Sequence, residues 1–496
     1  MCRRDRPAIA PVVWLLLFLP FAAAGQGSGQ SDRLASQLES LNGELSANAS
    51  LVADPRLLGH LLAARASVLS ELIAENPAKA LDLALSTEIA AQLRRVAPDA
   101  SIEARGEWEG TLEAIVADDF EHHRSSTRWY LHTADGKLEV YFAEPATRRP
   151  GVSVRVGGIQ VAGRIAAAHV VSAAASLAAA AQQCTTIGPQ NIAVLMVTTP
   201  SNRTFPSGFT AASLRQAFFG SAWDVHSTDS VNGMWKEMSY GQASATGQVF
   251  GPFALSQDYT CDQASDLGVA AIRAADATVD FTQFTRVAVV FPAASCSYGG
   301  LSTVGCLGPP LASPSKGDLT ASTAYFPVRP NDQAPNVGVY AHELGHSLGL
   351  GHSNSQDYNH IPLGPLNTAG LDTDYGDPFS IMGYSLRGQY PAQFKSHFLH
   401  WLNPGDYQEV QSSGSFALAP FEASAGVRAL RVLRDADSNS WLWIEYRQRV
   451  GDIDGLLPYS PQSNVTDGAL IHYEYPTLPS MYSREAAAQV PRRLIQ

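Results

Sequence analysis

The first hundred residues set apolar side chains at a helical period. Leu34, Leu38, Leu41 and Leu45 recur at three- and four-residue steps, as do Leu57, Leu61, Leu62, Val68, Leu69 and Leu72. Asn76-Pro77 predicts a break, and Ala80 to Val96 resumes the pattern. From about residue 101 the period shortens to two. Leu112 to Val116, Arg128 to His132 and Lys137 to Phe142 read as strands, with Ala134-Asp135-Gly136 as a hairpin turn. Val152 to Val161 adds a strand pair about Gly157-Gly158, so a small β-barrel or sandwich is expected. His122 and His123 lie between strands without ligand partners in the sequence and read as solvated loop residues. The Ala-rich stretch 166–187 reads as a linker or a helix.

Beyond Pro189, strands alternate with helices, which implies an α/β lobe with a mixed sheet. Ile192 to Thr199, Ala243 to Leu255 and Arg286 to Phe291 are the strands; Ala212 to Phe219, Ser230 to Met238 and Gln263 to Ala275 are the helices. The Gly- and Ser-rich stretch 295–320 reads as a long loop, usually functional in a compact domain. Ser322 to Val328 is expected at a sheet edge, either as a strand along which an extended peptide could bind by backbone pairing or as a plain edge strand capped by Pro327 and Pro330. Val337, Tyr340, Leu344 and Leu348 form the buried ridge of a further helix. Polar loops fill 353–380, including His360, and Tyr390 to Leu402 returns to a helical pattern with His397 and His400. From about 408 the pattern is all β: Phe416 to Leu418, Val427 to Leu433, Trp441 to Tyr446 and Ala469 to Tyr475. Trp441 and Trp443 share one strand face, which reads as a core face rather than a glycan-binding ledge.

The formal net charge of −12 argues against a nucleic-acid partner. Arg3, Arg4 and Arg6, the apolar run Val12 to Phe21 and Ala22-Ala23-Ala24 read as an export signal with its cleavage site. The run is too short for a comfortable membrane span, and no later stretch is read as a transmembrane anchor. Secretion, or periplasmic retention in a Gram-negative bacterium, is the expected destination. Sequons at Asn48, Asn202 and Asn464 could carry glycans in a eukaryotic source. Cys2 would leave with the signal. Cys184, Cys261, Cys296 and Cys306 remain in a disulfide-permissive compartment.

The chemistry concentrates in His342-Glu343-Leu344-Gly345-His346-Ser347-Leu348-Gly349-Leu350-Gly351-His352, an H-E-x-x-H-x-x-G-x-x-H pattern. Helical residues four apart share a face, so His342 and His346 can aim at one point. Gly349 tolerates the left-handed backbone that reverses the chain and brings back His352. Three neutral imidazoles suit Zn2+, and three protein ligands leave a position for water, the mark of a catalytic site. Glu343 is then free to act as the general base.

Ser380-Ile381-Met382-Gly383-Tyr384 follows the motif and, with it, resembles the methionine turn of the metzincin zinc peptidases. That resemblance implies that Met382 packs beneath the zinc site and that Tyr384 sits beside the metal as an oxyanion stabiliser. Within metzincins the chain resembles the gametolysin family, through Ser230-Val231-Asn232, Ser239-Tyr240-Gly241, the zinc helix, Ser380 to Tyr384 and Ile444-Glu445-Tyr446-Arg447. The matching stretches span roughly residues 188–475. Gametolysins often carry Gln where this chain has His342, a departure toward the general metzincin form that puts an algal cell-wall substrate in doubt.

The expected fold is a multidomain α+β chain. Its segments are a signal peptide (1–24), a helical pro-region (25–100), a small β pro-region and linker (101–187), a metzincin-like catalytic domain (188–407) and a β-rich C-terminal region (408–496). The expected function is a secreted zinc endopeptidase acting on proteins or peptides, made as a latent precursor. Two alternatives stay open: a secreted binding or matrix protein with a degenerate protease domain, and a zinc hydrolase of a non-peptide bond. Cys296 and Cys306 enclose a short glycine-rich loop and are the first expected disulfide, with Cys184–Cys261 as the second. The competing reading gives Cys184 as a thiolate that blocks the zinc in the precursor.

Overall fold

A computed structural model describes residues 27–47, 55–144, 150–172, 185–220, 226–305, 310–313, 315, 317–359, 361, 363–366, 370–383, 386, 388–456, 465–474, 483–486 and 490–491. The signal segment 1–24, Cys184, Cys306, His360, Tyr384, Asn48 and Asn464 lie outside the described residues. The chain divides into two compact units, Met1–Glu103 and Ala104–Gln496.

The first unit holds four helices: α1 (Gly27–Ala47), α2 (Pro55–Glu75), α3 (Pro77–Asp82) and α4 (Thr87–Val96). The break predicted at Asn76-Pro77 is a cap. Asn76 accepts the Lys79 amide at 3.0 Å, and Pro77 stands at the first helical position, where it forfeits no hydrogen bond. Leu58 and Leu62 of α2 pack with Leu45 and Leu93. The buried pair Arg65–Glu103 closes the unit, with guanidinium–carboxylate distances of 2.5 and 2.7 Å. By length and composition Arg56–Glu75 could cross a membrane. The burial of its Leu58, Leu62, Leu69, Leu72 and Ile73 makes it the core helix of this unit.

The second unit is built on one long mixed sheet. Its strands are β1 (Ala104–Asp119), β2 (Arg124–Thr133), β3 (Gly136–Phe142), β4 (Ser153–Val161), β5 (Arg164–Ser172), β6 (Gly188–Thr198), β7 (Ala243–Ala254), β8 (Arg286–Pro292), β9 (Gly300–Thr303) and, later in the chain, β12 (Ser322–Val328). The small pair β10 (Pro310–Ser313) and β11 (Gly317–Thr320) lies between β9 and β12 in sequence. Among the described residues the sheet order is β2-β3-β5-β4-β1-β9-β12-β8-β6-β7. Three helices accompany it: α5 (Ala211–Phe219), α6 (Val231–Met238) and α7 (Ala264–Ala275). One apolar core packs Ile192, Val194 and Met196 of β6 with Phe218, Trp235, Met238 and Leu344. Another packs Leu195, Val197, Val287 and Val289 with Leu267, Ala271 and Ile272. The residues between the two sets alternate along β6, as a strand buried on both faces requires.

The strands of 104–172 close on themselves as the expected small barrel, in the order β1-β2-β3-β5-β4 and back to β1, around Leu112, Leu131, Val140, Val154, Val156 and Ile165; the pairing of β1 with β9 also joins this barrel to the sheet that follows. Two expectations change here. The glycine-rich stretch 295–320 is not simply loop, since it contains β9. And β12 is interior: it runs parallel to β8 and antiparallel to β9, and every one of its residues is buried.

The motif helix is α8 (Val337–Ser347), capped by Asn336, whose side chain accepts from the Gly338 and Val339 amides at 3.1 and 3.3 Å. After it a second sheet runs β14-β13-β19-β18-β17-β16-β15. Its members are β13 (Ser353–Asp357), β14 (Leu371–Thr373), β15 (Tyr407–Val410), β16 (Ala429–Asp435), β17 (Ser440–Glu445), β18 (Gly468–Glu474) and β19 (Ser483–Ala486). The predicted helix Tyr390 to Leu402 contracts to a few residues, including one π-turn, Phe394–Phe398. The expected strand Phe416 to Leu418 has no regular structure. Trp443 is fully buried and Arg431 stacks 4.1 Å over the Trp441 ring, so this face belongs to the core.

The disulfide expectations are corrected. Cys261, at the start of the α7 region, bonds to Cys296 after β8, with Cα atoms 5.6 Å apart. Loop closure between Cys296 and Cys306 was expected from an unstructured Ser297 to Gly305. That stretch instead holds β9, and because Cys261 and Cys296 are bonded to each other, neither Cys296–Cys306 nor Cys184–Cys261 forms.

Candidate metal centre

The motif behaves locally as its spacing requires. His342, Glu343 and His346 are buried along α8, and the chain turns at Gly349, which adopts φ +99°. No atom would obstruct a Cβ there, so glycine is required by the backbone conformation alone. The turn returns His352, which is also buried. The three ring centroids lie 4.9 to 5.4 Å apart.

Each ring is oriented through its Nδ1. His342 Nδ1 donates to the Ile381 carbonyl at 2.8 Å, and His346 Nδ1 donates to the Leu350 carbonyl at 2.7 Å. His352 Nδ1 donates to Asp374 Oδ1 at 3.1 Å. A carbonyl or carboxylate can only accept, so each Nδ1 carries a proton, and Nε2 is the nitrogen that faces the centre on all three rings. The three Nε2 atoms converge on one carboxylate, Asp118. They stand 3.5 Å (His342), 3.2 Å (His346) and 3.0 Å (His352) from its oxygens. His342 Nε2 and His352 Nε2 make no hydrogen bond of acceptable geometry, although both are buried and close to the carboxylate. Three buried imidazole nitrogens crowded on one carboxylate are what a cation between them would reconcile. The donor set, three imidazoles and one carboxylate, fits Zn2+.

Glu343 lies beside this cluster with both oxygens buried and no protein donor. It fits only because residue 300 is glycine: a Cβ there would fall 2.0 Å from Glu343 Oε1. Burial, reinforced by the Asp118 charge, raises the Glu343 pKa well above the usual carboxylate range. Burial opposes ionisation of Asp118, but the His352 charge and the three ring contacts overcome it and hold its pKa well down. Burial would lower His352 as well. The facing Asp118 and Asp374 carboxylates reverse that and raise it to about 9. His342 falls to about 4, chiefly through burial.

Met382 is fully buried, and a Cβ on Gly345 would lie 2.6 Å from its Sδ, so α8 rests directly on this side chain. Three further residues sit at the cluster without having been legible as site residues. Asp374 holds His352. Tyr375 donates its hydroxyl to Asp118 Oδ1, with its ring 4.1 Å from that of His352. Asp118 itself comes from β1. The loops 353–380 gave no spacing signal for Asp374-Tyr375, and nothing local marks Asp118.

With this geometry in view, residues 256–394 match the family model Reprolysin_5, described as metallo-peptidase family M12. The segment thus carries a metallopeptidase domain of metzincin-like kind within a mixed α/β frame. No curated protein matches the chain.

Proposed function

We propose that the chain is a secreted zinc endopeptidase, made as a precursor and resembling the gametolysins. This takes 1–24 as an export signal and 25–187 as the pro-region. One observation supports it above the rest: three Nδ1 atoms are tied to acceptors, so three Nε2 atoms are turned to one buried point beside a donorless Glu343.

His342, His346 and His352 hold the metal. Zinc, when bound, supplies Lewis acidity toward water and a peptide carbonyl. Glu343 takes the proton of the attacking water and returns it to the leaving amine. Its burial suits it to a base that must give the proton back. Met382 supports α8 from below, Tyr384 is the expected oxyanion stabiliser, and Tyr375 stands against the His352 ring. The family match favours peptide bonds over other substrates and gives no preference to a binding protein with a degenerate site.

Glu343→Gln tests the assignment. It removes the base and no ligand, so hydrolysis of a peptide library by the processed enzyme should fall about 10²–10⁴-fold while one zinc per chain is retained. Near-normal turnover with stoichiometric zinc would sink the role given to Glu343. Failure of the wild type to bind zinc would sink the whole reading.

A further inference from the structure

The strand that delivers Asp118 does two things at once. Its oxygens stand 3.0, 3.2 and 3.5 Å from the three Nε2 atoms. A tetrahedral zinc with ligand distances of about 2.0–2.1 Å places neighbouring ligands about 3.3 Å apart. The separations are those of four ligands around one ion. An ordinary buried ion pair would engage one imidazole, not three whose other nitrogens are already committed.

The same strand covers the edge of the catalytic sheet. Without β1, the run β9-β12-β8-β6-β7 would end at β9. β1 lies antiparallel on it, pairing Ile115 with Thr303, Val116 with Ser302, Ala117 with Leu301 and Asp118 with Gly300. The ladder is extended by Val304 N to Ala114 O at 2.9 Å and Gly299 N to Asp118 O at 2.7 Å. Past the ladder Phe120 packs edge-on to the His342 ring at 5.0 Å and leaves no room for a Cβ on Gly299. An extended peptide reaching this site by strand addition needs the backbone groups that β1 occupies.

We propose that Asp118 is the fourth metal ligand of the intact chain and that β1 holds the substrate edge, so that the precursor is shut by strand and ligand together. This rests on the peptidase reading above. It assigns latency to Asp118 rather than to Cys184. It also has a mechanical consequence. β1 pairs with β2 and β4 as well as β9, so it belongs to the closed five-stranded barrel of 104–172, which must leave as a whole. A cut in the chain after that barrel does not open the site; departure of the barrel does.

Cobalt-substituted precursor tests the ligand directly, since the visible Co2+ bands report its ligand set. Wild type should bind Co2+ and show bands that acetohydroxamate leaves unchanged. Asp118→Ala should bind Co2+, show shifted bands and respond to acetohydroxamate. Identical spectra with identical responses would overturn the proposal while leaving the three-histidine site standing. Absence of cobalt binding in both proteins would overturn the peptidase reading and this proposal together. The wild-type fold supplies a second arm that needs no substitution at the site. With a specific protease site inserted between residues 172 and 185, the cut chain should stay latent while its pieces co-elute. Turnover of a fluorogenic peptide should rise when the 1–172 piece is stripped away, and fall when it is returned. Full activity of the cut, still-associated complex would refute the strand's role.

Discussion

At the scale of single residues, the three histidines that the structure brings together and Met382 beneath them were legible, and the carboxylates beside them were not. Steps of four and six residues through His342, His346 and His352 are a constraint of helix geometry, and the intervening Gly349 announces the turn. Asp374 stands 22 residues beyond His352, and Asp118 stands 228 residues before His346, with no spacing that sequence reasoning can use. Asp374 nonetheless has a definite task. It takes the Nδ1 proton of His352 and accepts from Ser125 Oγ at 2.5 Å, so its own position is fixed. His352 is the one ligand whose ring is held by a side chain; the other two are held by main-chain carbonyls that no substitution can remove. Asp374→Ala should therefore loosen metal binding about 10–100-fold, with the fold intact, as read by competition with a chromogenic chelator. An unchanged affinity would mean that His352 is oriented by its packing alone.

At the scale of elements, long periodic segments were read correctly and short ones were not. β6, β7, β8 and the helices α5 to α8 carry enough residues for a period to show. β9 has four residues inside a glycine-rich stretch, too few for alternation to emerge. Missing it promoted β12 to the edge. Pro327 supported that error, yet β9 pairs only with Ala324 and Tyr325, so the proline interrupts no bond on that side. The β16–β18 ladder was legible as strands, but its electrostatics were not. Arg431 binds Glu474 through two hydrogen bonds of 2.9 and 2.6 Å, and Trp443 Nε1 donates to the same carboxylate at 2.7 Å. Burial would raise the Glu474 pKa, but His397 and Arg431 outweigh it and lower it to about 2. The sign follows from the depressed value. The native state favours the charged form, so the stabilisation is present above the ordinary pKa of 4.5 and is lost as pH falls toward about 2. Wild type should be more stable than Glu474→Gln at pH 7, with the gap closing through that window, as measured by urea midpoints. A gap independent of pH would assign the effect to the lost hydrogen-bond geometry instead.

At the scale of the molecule, the C-terminal strands are tied by buried polar contacts to the segment behind the candidate metal centre rather than appended to it. The join is a buried polar network that no periodicity reveals, because His472 and Glu445 occupy ordinary inward positions of β18 and β17. His472 Nε2 lies 3.1 Å from Asp377 Oδ2, and its Nδ1 lies 3.5 Å from Glu445 Oε1. Glu445 also accepts the Ala392 amide at 2.5 Å and pairs with Arg447 at 2.7 Å. Asp377 in turn accepts the Phe379 amide at 2.9 Å, while its own amide donates to Ser353 O at 3.1 Å; Ser353 N donates to Met382 O at 3.0 Å. The connection thus runs from the C-terminal sheet to the residue that supports α8. Removing one partner leaves a buried group unsatisfied at a cost of about 1–3 kcal/mol, more when it is charged. His472→Ala should lower the unfolding free energy by at least about that amount, though it lies on a strand far along the sequence from every ligand. A chain stopped at residue 407 loses Glu445, Arg447 and His472 together with Phe421, Ala429 and Trp443, the apolar partners of Ala392 and Leu402. It is expected neither to unfold cooperatively nor to bind one zinc per chain. Near-UV circular dichroism with metal analysis decides the point: a truncated chain with native-like spectra and stoichiometric zinc would show that the peptidase lobe stands without these strands.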